Sequence, residues 1–313
     1  MTSEKPILTL IDGHALVFRA FYAFAPLTSP DGRLVNAVYG FNRMLLRSIK
    51  ELHPEYIAVT FDMEKPTFRH TSFTGYKAQR HETPTELLDQ LSLIKETVQA
   101  LNIPIFGVEG FEADDVIGTI ATQQASDELH VVIVTGDRDA FQLVKNGQIS
   151  VFMPAKNAEG SHEFWEKDVE ESLGLPPSLV IDYKSLAGDA SDNIPGVRGV
   201  GPKTAVALLK AFGSLDALYK GIAAPDTLTA EQKALLKLSL LQKLVQDHEN
   251  AFMSQKLATI DQHVPLHFEL EKCRVTGYDK QLTLAMYNEL NFKSLIPMLP
   301  PDEFEQGVQD ALF

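Results

Sequence analysis

Short apolar runs alternate with longer amphipathic segments along the first half of the chain. The apolar runs predict strands at "ILTLID" (7–12), "YIAVTFD" (56–62), "IPIFGV" (103–108), "HVVIVTGD" (130–137) and "QISVFM" (148–153). Apolar residues at helical spacing predict helices between these strands, at 37–52, 85–102 and 112–124. Strands that alternate with helices are typical of a parallel-rich central sheet flanked by helices, so we expect an α/β fold.

The pattern becomes almost wholly helical from about residue 165, and its clearest long helix is predicted at 228–249. We therefore expect two domains. The first, 1–175, would be the α/β core, and the second, 176–313, would be a helical subdomain. A chain of 313 residues is long enough to bury the cores of one or two such domains.

Composition and charge narrow the class of protein. Cys273 is the single cysteine, which excludes an internal disulfide and a cysteine-based metal cage. No apolar run is long enough to span a membrane, and the N-terminus lacks the pattern of a signal peptide, so we expect a cytoplasmic protein. We also expect a monomer. The net charge of −14 argues against a nucleic-acid partner, but 63–81 and 193–215 are both basic islands.

Acidic residues follow several of the predicted strands. Asp12, Asp62 and Asp137 each end a strand, and four more acids lie close behind strand ends: Glu112, Asp114, Asp115 and Asp139. Each acid alone is best interpreted as a helix cap. The carboxyl ends of parallel strands meet at one edge of a sheet, so seven acids would gather there, and Asp189 and Asp192 could join them. Such a group needs cations, and hard divalent ions suit oxygen ligands.

The sequence "GVRGVGPKTA" (196–205) forms a glycine-rich turn within the predicted hairpin 194–212. A Walker A loop is a poor match, because Pro202 separates Gly201 from Lys203. A hairpin between two helices fits better: its glycines allow close approach to a phosphate, and the amides at the following helix start can bind it. Basic residues without nearby acids favour a DNA-backbone interface over a merely structural turn.

The segment 63–84 is too long for an ordinary connection and mixes basic with aromatic residues. The basic residues are Lys65, Arg69, Lys77 and Arg80, and the aromatic residues are Phe68, Phe73 and Tyr76. This combination suits a nucleic-acid single strand, which offers phosphates and base faces. A mobile solvated loop is the alternative.

Six stretches together resemble the 5′ nuclease family, in particular the 5′→3′ exonuclease domain of bacterial DNA polymerase I and its flap endonuclease relatives. They are "LIDGHALVFRAFYAF", "AVYGF", "TFRHTSFTGYKAQR", "EADDVIGT", "TGDRDAFQLV" and "GDASDNIPGVRGVGPKTA". The resemblance covers nearly the whole chain. It implies a helical arch at 63–84 and a helix-hairpin-helix motif in the helical subdomain. Glu64 and Pro66 depart from the family's usual pattern and leave the arch geometry near Lys65 open.

The resemblance also implies the site residues. The first of two Mg²⁺ ions, with Mn²⁺ as a substitute, would be held by Asp12, Asp62, Glu112, Asp114 and Asp115, and the second by Asp137, Asp139, Asp189 and Asp192. Lys77 and Arg80 would act at the scissile phosphate, and Tyr76 would stack on a terminal base. The implied DNA contacts further include Arg19, Arg198, Gly199, Gly201, Lys203 and Thr204, with a K⁺ ion at the hairpin.

The implied activity is a structure-specific 5′ nuclease that cuts DNA where a 5′ single strand meets duplex. A non-catalytic module that recognises DNA structure is the main alternative, and the complete set of carboxylates counts against it. A nucleotide hydrolase is disfavoured by the position of Lys203. A ribonuclease on the same sheet stays open.

Overall fold

Six strands form one sheet in the residues that the computed structural model describes, which are 5–63, 65–79, 82–154, 160–275 and 277–312. Glu64 and Arg80 therefore lie outside the described residues. The strands are β1 (Ile7–Asp12), β2 (Tyr56–Thr60), β3 (Ile105–Phe106), β4 (His130–Val134), β5 (Ile149–Met153) and β6 (His162–Phe164). Their order is β3-β2-β1-β4-β5-β6, and only the β5–β6 pair is antiparallel. The predicted fold class is confirmed.

Helices follow most strands, and after β6 they account for most of the regular structure in the described residues. They are α1 (Gly13–Ala23), α2 (Asn36–Leu52), α3 (Phe68–Ser72), α4 (Thr85–Ala100), α5 (Ala113–Gln124), α6 (Glu166–Leu173), α7 (Val180–Ala187), α8 (Pro202–Phe212), α9 (Leu215–Ala223), α10 (Ala230–Leu235), α11 (Leu238–Gln246), α12 (His248–Ala258), α13 (Lys280–Glu289) and α14 (Glu303–Leu312). None of those within the described ranges is long and apolar enough to cross a membrane.

The chain divides into two compact units. The first contains Met1–Lys65, Glu82–Phe164 and Asp261–Phe313, and the second contains Pro66–His81 and Trp165–Ile260. The sheet belongs to the first unit, where its central strands are buried on both faces, as is typical of parallel sheets covered by helices. The described part of the 63–84 segment from 66 to 79 belongs to the helical second unit.

The last part of the chain packs into the core of the sheet unit. Tyr287 of α13 is fully buried in this core, and its hydroxyl donates to Asn42 of α2 at 2.7 Å. Asn42 in turn donates to Thr97 of α4. A buried network whose members all have partners fixes one packing of these helices.

The five predicted strands are present: β1 has the predicted bounds, and the other four are shorter than the sequence suggested. β6 was not predicted, because three residues with half-buried or exposed side chains give no alternating apolar pattern.

The single helix predicted at 228–249 is wrong, because the structure has three helices from 230 to 258. Leu236 and Lys237 leave helical geometry, and Asp247 turns away to accept the Arg198 amide. Tertiary contacts thus override the local apolar period.

Candidate active site and hairpin

Asp12 lies where the strand order reverses, between β1 and β4, at the carboxyl ends of these strands. Ligands of open α/β sheets bind at such switch points. One carboxylate oxygen of Asp12 accepts the Ala15 amide at 3.0 Å and caps α1. The other accepts the Thr135 hydroxyl, which follows β4, at 2.7 Å. Asp12 is therefore held from both strands that flank the switch point.

The charge of Asp12 is poorly compensated. Its side chain is only 5% exposed, and burial raises the pKa of Asp12 to about 6. The bonds from Ala15 and Thr135 lower this pKa, whereas the neighbouring carboxylates of Asp62 and Asp137 raise it. Three acids thus share one edge of the sheet, and the ionised state of Asp12 is disfavoured until a cation neutralises the group.

Asp62 is held by two groups from neighbouring helices. Its backbone amide donates to Nδ1 of His14 at 2.9 Å, and its carboxylate accepts the amide of Ala113 at the start of α5. The approach of α1 to the end of β2 is close, because a Cβ at Gly13 would lie 2.5 Å from the Thr60 carbonyl oxygen. His14 was not among the predicted site residues. The available signal was its position two residues after Asp12, directly behind the end of the first strand.

Glu112 and Asp115 take part in the hydrogen bonds that cap the start of α5. Asp115 is fully buried; one of its oxygens accepts the Glu112 amide at 3.1 Å and the other accepts the Asp261 amide at 2.8 Å. Asp114 lies between them in the first turn and is half-buried. The helix-capping interpretation, which the sequence favours for single acids, holds for Asp115.

Thr135 links the acids on either side of the switch point. Its hydroxyl donates to Asp12 and accepts the Asp137 amide at 3.0 Å. Asp137 caps the 3₁₀ turn Arg138–Leu143 by accepting the Asp139 amide at 2.9 Å. The guanidinium of Arg19 lies beside Gly136, where a Cβ would be 3.6 Å from Nη1, and burial lowers the Arg19 pKa. Thr135 was missed by the sequence analysis, since a threonine after a strand carries no distinctive signal.

Within the described ranges, no group of three or more His, Cys, Asp or Glu side chains is gathered so that it could hold a metal ion. The acids of the sheet unit instead accept hydrogen bonds from amides and from Thr135. The donor set nevertheless fits a hard divalent cation, because the candidate ligands are carboxylates and a cation would relieve the burial and acidic neighbours that disfavour ionised Asp12.

Asp189 and Asp192 belong to the second unit. Asp189 accepts the Lys184 ammonium at 2.5 Å through one oxygen, and the amide and hydroxyl of Ser191 through the other. Burial alone would raise the pKa of Asp189, but the Lys184 charge and these hydrogen bonds outweigh it and lower the pKa to about 2. Lys184, which is only 8% exposed, was not predicted as a site residue.

Tyr76 and Lys77 are tied to Asp192 within the second unit. The Tyr76 hydroxyl donates to the Asp192 carboxylate at 3.1 Å, and the Lys77 amide donates to the Asp192 carbonyl at 2.9 Å. The Lys77 ammonium lies 3.8 Å from the same carboxylate. Tyr76 is only 4% exposed, so stacking on a base requires its ring to leave this packing.

Two basic residues of the 63–84 segment have other partners than the expected phosphates. Arg69 is 2% exposed, and its guanidinium donates to the carbonyls of Leu257 and Thr259 at the end of α12. A cation at a helix C-terminus stabilises the helix, so Arg69 caps α12. Lys65 forms an ion pair with Glu109. The sequence-based interpretation of Arg69 as a phosphate contact is wrong, because its donors face protein carbonyls.

The glycine hairpin connects α7 to α8 and exposes its tip. Arg198, Gly199, Gly201 and Lys203 are exposed and Thr204 is half-buried. Two hairpin amides donate to side chains of the unit, Gly196 to Ser254 and Arg198 to Asp247, and those of Val197 and Val200 donate to backbone carbonyls. α8 begins at Pro202, so the amides of Lys203 and Thr204 stand in its first turn, where helix geometry supplies no acceptor. An anion is best received at these two amides.

These features define a class: a mostly parallel α/β protein with acidic residues at its switch point and a second unit that carries a helix-hairpin-helix. Two family models match consecutive parts of the chain. Residues 7–174 match "5'-3' exonuclease, N-terminal resolvase-like domain", and residues 175–281 match "5'-3' exonuclease, C-terminal SAM fold". The chain belongs to the 5'-3' exonuclease family and is a nuclease. The resemblance inferred from the six sequence stretches is confirmed.

The similar proteins include much longer polymerases. DNA polymerase I of Chloroflexus aurantiacus is 43% identical over 304 residues, which are 94% of this chain and 31% of that protein. DNA polymerase I of Bacillus subtilis is 36% identical over 310 residues, which are 99% of this chain and 34% of that protein. The chain thus spans about a third of the length of these relatives.

Two solved structures share the fold at low identity. The T5 D15 protein co-crystallised with metal ions is 21% identical, with a TM-score of 0.65 over 91% of this chain and 99% of that chain. The catalytic core of Rad2 in complex with DNA substrate is 15% identical, with a TM-score of 0.57 over 94% of this chain and 92% of that chain.

Proposed function

We propose that this chain hydrolyses phosphodiesters of DNA where a 5′ single strand meets duplex, acting as a 5′→3′ exonuclease and flap endonuclease. The observation that carries the proposal is Asp12 at the switch point, buried and crowded by Asp62 and Asp137. Family membership supports the reaction class. The T5 D15 protein, co-crystallised with metal ions, and the Rad2 core, in complex with DNA substrate, support the partners.

Two Mg²⁺ ions, with Mn²⁺ as a substitute, complete the proposed site. The first would be held by Asp12, Asp62, Glu112, Asp114 and Asp115, and the second by Asp137, Asp139, Asp189 and Asp192. Divalent cations at such carboxylates neutralise phosphate charge and act as Lewis acids. The protein's part is to hold the acids in position, as Thr135 does for Asp12 and His14 does for Asp62.

The remaining roles are assigned to basic and aromatic groups. Lys77 and Arg80 act at the scissile phosphate, where their positive charges stabilise the negative charge. Tyr76 stacks on the terminal base. Arg19 contacts phosphate from α1, and the hairpin holds the duplex through Arg198, Gly199, Gly201, Lys203 and Thr204. A monomer suffices for these roles, and a cytoplasmic setting remains a prediction.

The test is cleavage of a labelled 5′-flap duplex and a blunt duplex, in Mg²⁺ and in EDTA. We expect Mg²⁺-dependent cutting at the flap junction, and Asp137→Asn should reduce turnover by about 100-fold or more while duplex binding persists. Asp127→Asn is the matched control, because Asp127 is an exposed acid that precedes β4 at the opposite edge of the sheet. Binding without cleavage by the wild type would instead establish the non-catalytic module.

A further inference from the structure

The ammonium group of Lys243 lies on the glycine hairpin. Lys243 is in the last turn of α11, and its Nζ donates to the Gly199 carbonyl at 3.4 Å. The end of its side chain covers the Gly199 backbone, because a Cβ at this position would lie 2.6 Å from Nζ and 3.2 Å from Cε. Gly199 also has a φ of +79°, which favours glycine. The backbone conformation therefore favours glycine at 199, and the absence of a Cβ leaves room for the end of the Lys243 side chain.

Asp247, one helical turn after Lys243, binds the neighbouring hairpin residue Arg198. Its carboxylate accepts the Arg198 amide at 2.8 Å, and it is only 7% exposed. The end of α11 thus gives a donor to one hairpin residue and an acceptor to the residue before it. These two contacts join the hairpin backbone to the end of α11, the buried one through Asp247 and the exposed one through Lys243.

A potassium ion at the hairpin, which the family resemblance implies, would use the backbone carbonyl oxygens of this turn. The Gly199 carbonyl already accepts a hydrogen bond from an ammonium ion of the chain. Two cations that share one carbonyl oxygen repel each other, so a potassium ion there would have to displace the Lys243 ammonium. The residues present therefore do not fit a potassium ion at Gly199.

We propose that the Lys243 ammonium takes the place of a bound monovalent cation at the hairpin. Lys243 is exposed and its charge lies at Gly199, the residue after the exposed Arg198, so it adds to the phosphate-binding surface that a duplex meets. Duplex binding is then insensitive to the identity of the monovalent cation in solution. This inference rests on the proposed function only in that the hairpin binds DNA.

The experiment is fluorescence anisotropy of a labelled blunt duplex without divalent cations, in KCl and in NaCl at equal ionic strength. The wild-type Kd should agree between the two salts within about twofold, and Lys243→Met should bind about tenfold more weakly in NaCl and recover several-fold in KCl. Lys237→Met is the matched control: it removes the same charge at the start of α11, about 9 Å away along the helix. Its Kd should change by less than about threefold, and equally in both salts.

The inference is overturned if the wild type binds several-fold more tightly in KCl than in NaCl, or if Lys243→Met and Lys237→Met behave alike. Should Lys243→Met fail to fold, Lys243→Arg decides, because it keeps the charge: a marked preference of this variant for KCl contradicts the proposal, and equal binding in both salts supports it. A wild type that binds no duplex also overturns it. Cleavage plays no part in this assay, so a failure here is distinct from a failure of the nuclease proposal.

Discussion

The Lys184 ammonium lies 2.5 Å from a carboxylate oxygen of Asp189, and both side chains are largely buried. A buried charge that loses its partner is strongly destabilising. We therefore expect Lys184→Met to lower the free energy of unfolding by about 3 kcal/mol in EDTA. If Asp189 binds a divalent ion, Mg²⁺ should replace the lost charge and restore part of this stability. Urea unfolding in EDTA and in Mg²⁺ measures both effects.

Lys184→Arg is the control for this prediction, because it retains a cation near Asp189. It should unfold close to the wild type in both conditions. Equal destabilisation of Lys184→Met in EDTA and in Mg²⁺ would argue that Asp189 binds no cation.

The Tyr76 hydroxyl donates to Asp192, so variants that lose only the hydroxyl or the whole ring can test the structural role and the proposed stacking role separately. Tyr76→Phe keeps the aromatic ring but loses the buried hydroxyl bond, so it should cost about 1 kcal/mol of unfolding free energy and leave flap cleavage nearly unchanged. Tyr76→Leu lacks the aromatic ring and should also reduce cleavage. Cleavage rates at saturating substrate, with unfolding curves of both variants, provide the comparison. If Tyr76→Phe cleaves as poorly as Tyr76→Leu, the hydroxyl and not stacking is what matters.

The acids at the carboxyl-terminal edge of the sheet were predictable from sequence, because each follows a strand that is itself recognisable from a few consecutive residues. A strand of alternating or continuous apolar residues that ends in Asp12 or Asp137 is visible in a short window, and parallel pairing then places such ends at one edge. The glycine hairpin was visible for the same reason, since its turn chemistry occupies ten consecutive residues.

The partners of these groups were not predictable, since they come from distant parts of the chain. Arg69 donates to Leu257, 188 residues later, and Asp115 accepts the amide of Asp261, 146 residues later. No local pattern distinguishes such an arginine from one that faces solvent. Lys243 and Asp247 likewise acquire their roles only when the chain after α9 returns to the hairpin.

His14 is expected to position Asp62 through the bond from the Asp62 amide to Nδ1. In His14→Asn the side-chain oxygen can occupy the place of Nδ1, whereas in His14→Gln the polar group corresponds to Nε2. We expect His14→Asn to keep Mn²⁺ binding within about threefold of the wild type and His14→Gln to weaken it about tenfold, as is typical when groups that orient metal ligands are lost. Calorimetric titration with Mn²⁺ measures this directly. Equal affinities of both variants would rule out the positioning role.

Asp12→Asn should stabilise the protein in the absence of metal while it abolishes cleavage. Burial raises the pKa of Asp12 to about 6, above its ordinary 3.8, so the folded state disfavours the ionised carboxylate. The cost is absent below about pH 4 and is fully present above about pH 6. Removing the charge should therefore raise the unfolding free energy by about 1–3 kcal/mol at pH 8, and by little at pH 4. Urea unfolding of both proteins across this pH range in EDTA is the measurement, and Asp127→Asn, an exposed acid, should show no such rise. A gain that is the same at pH 4 and pH 8 would show that relief of the buried charge is not its cause.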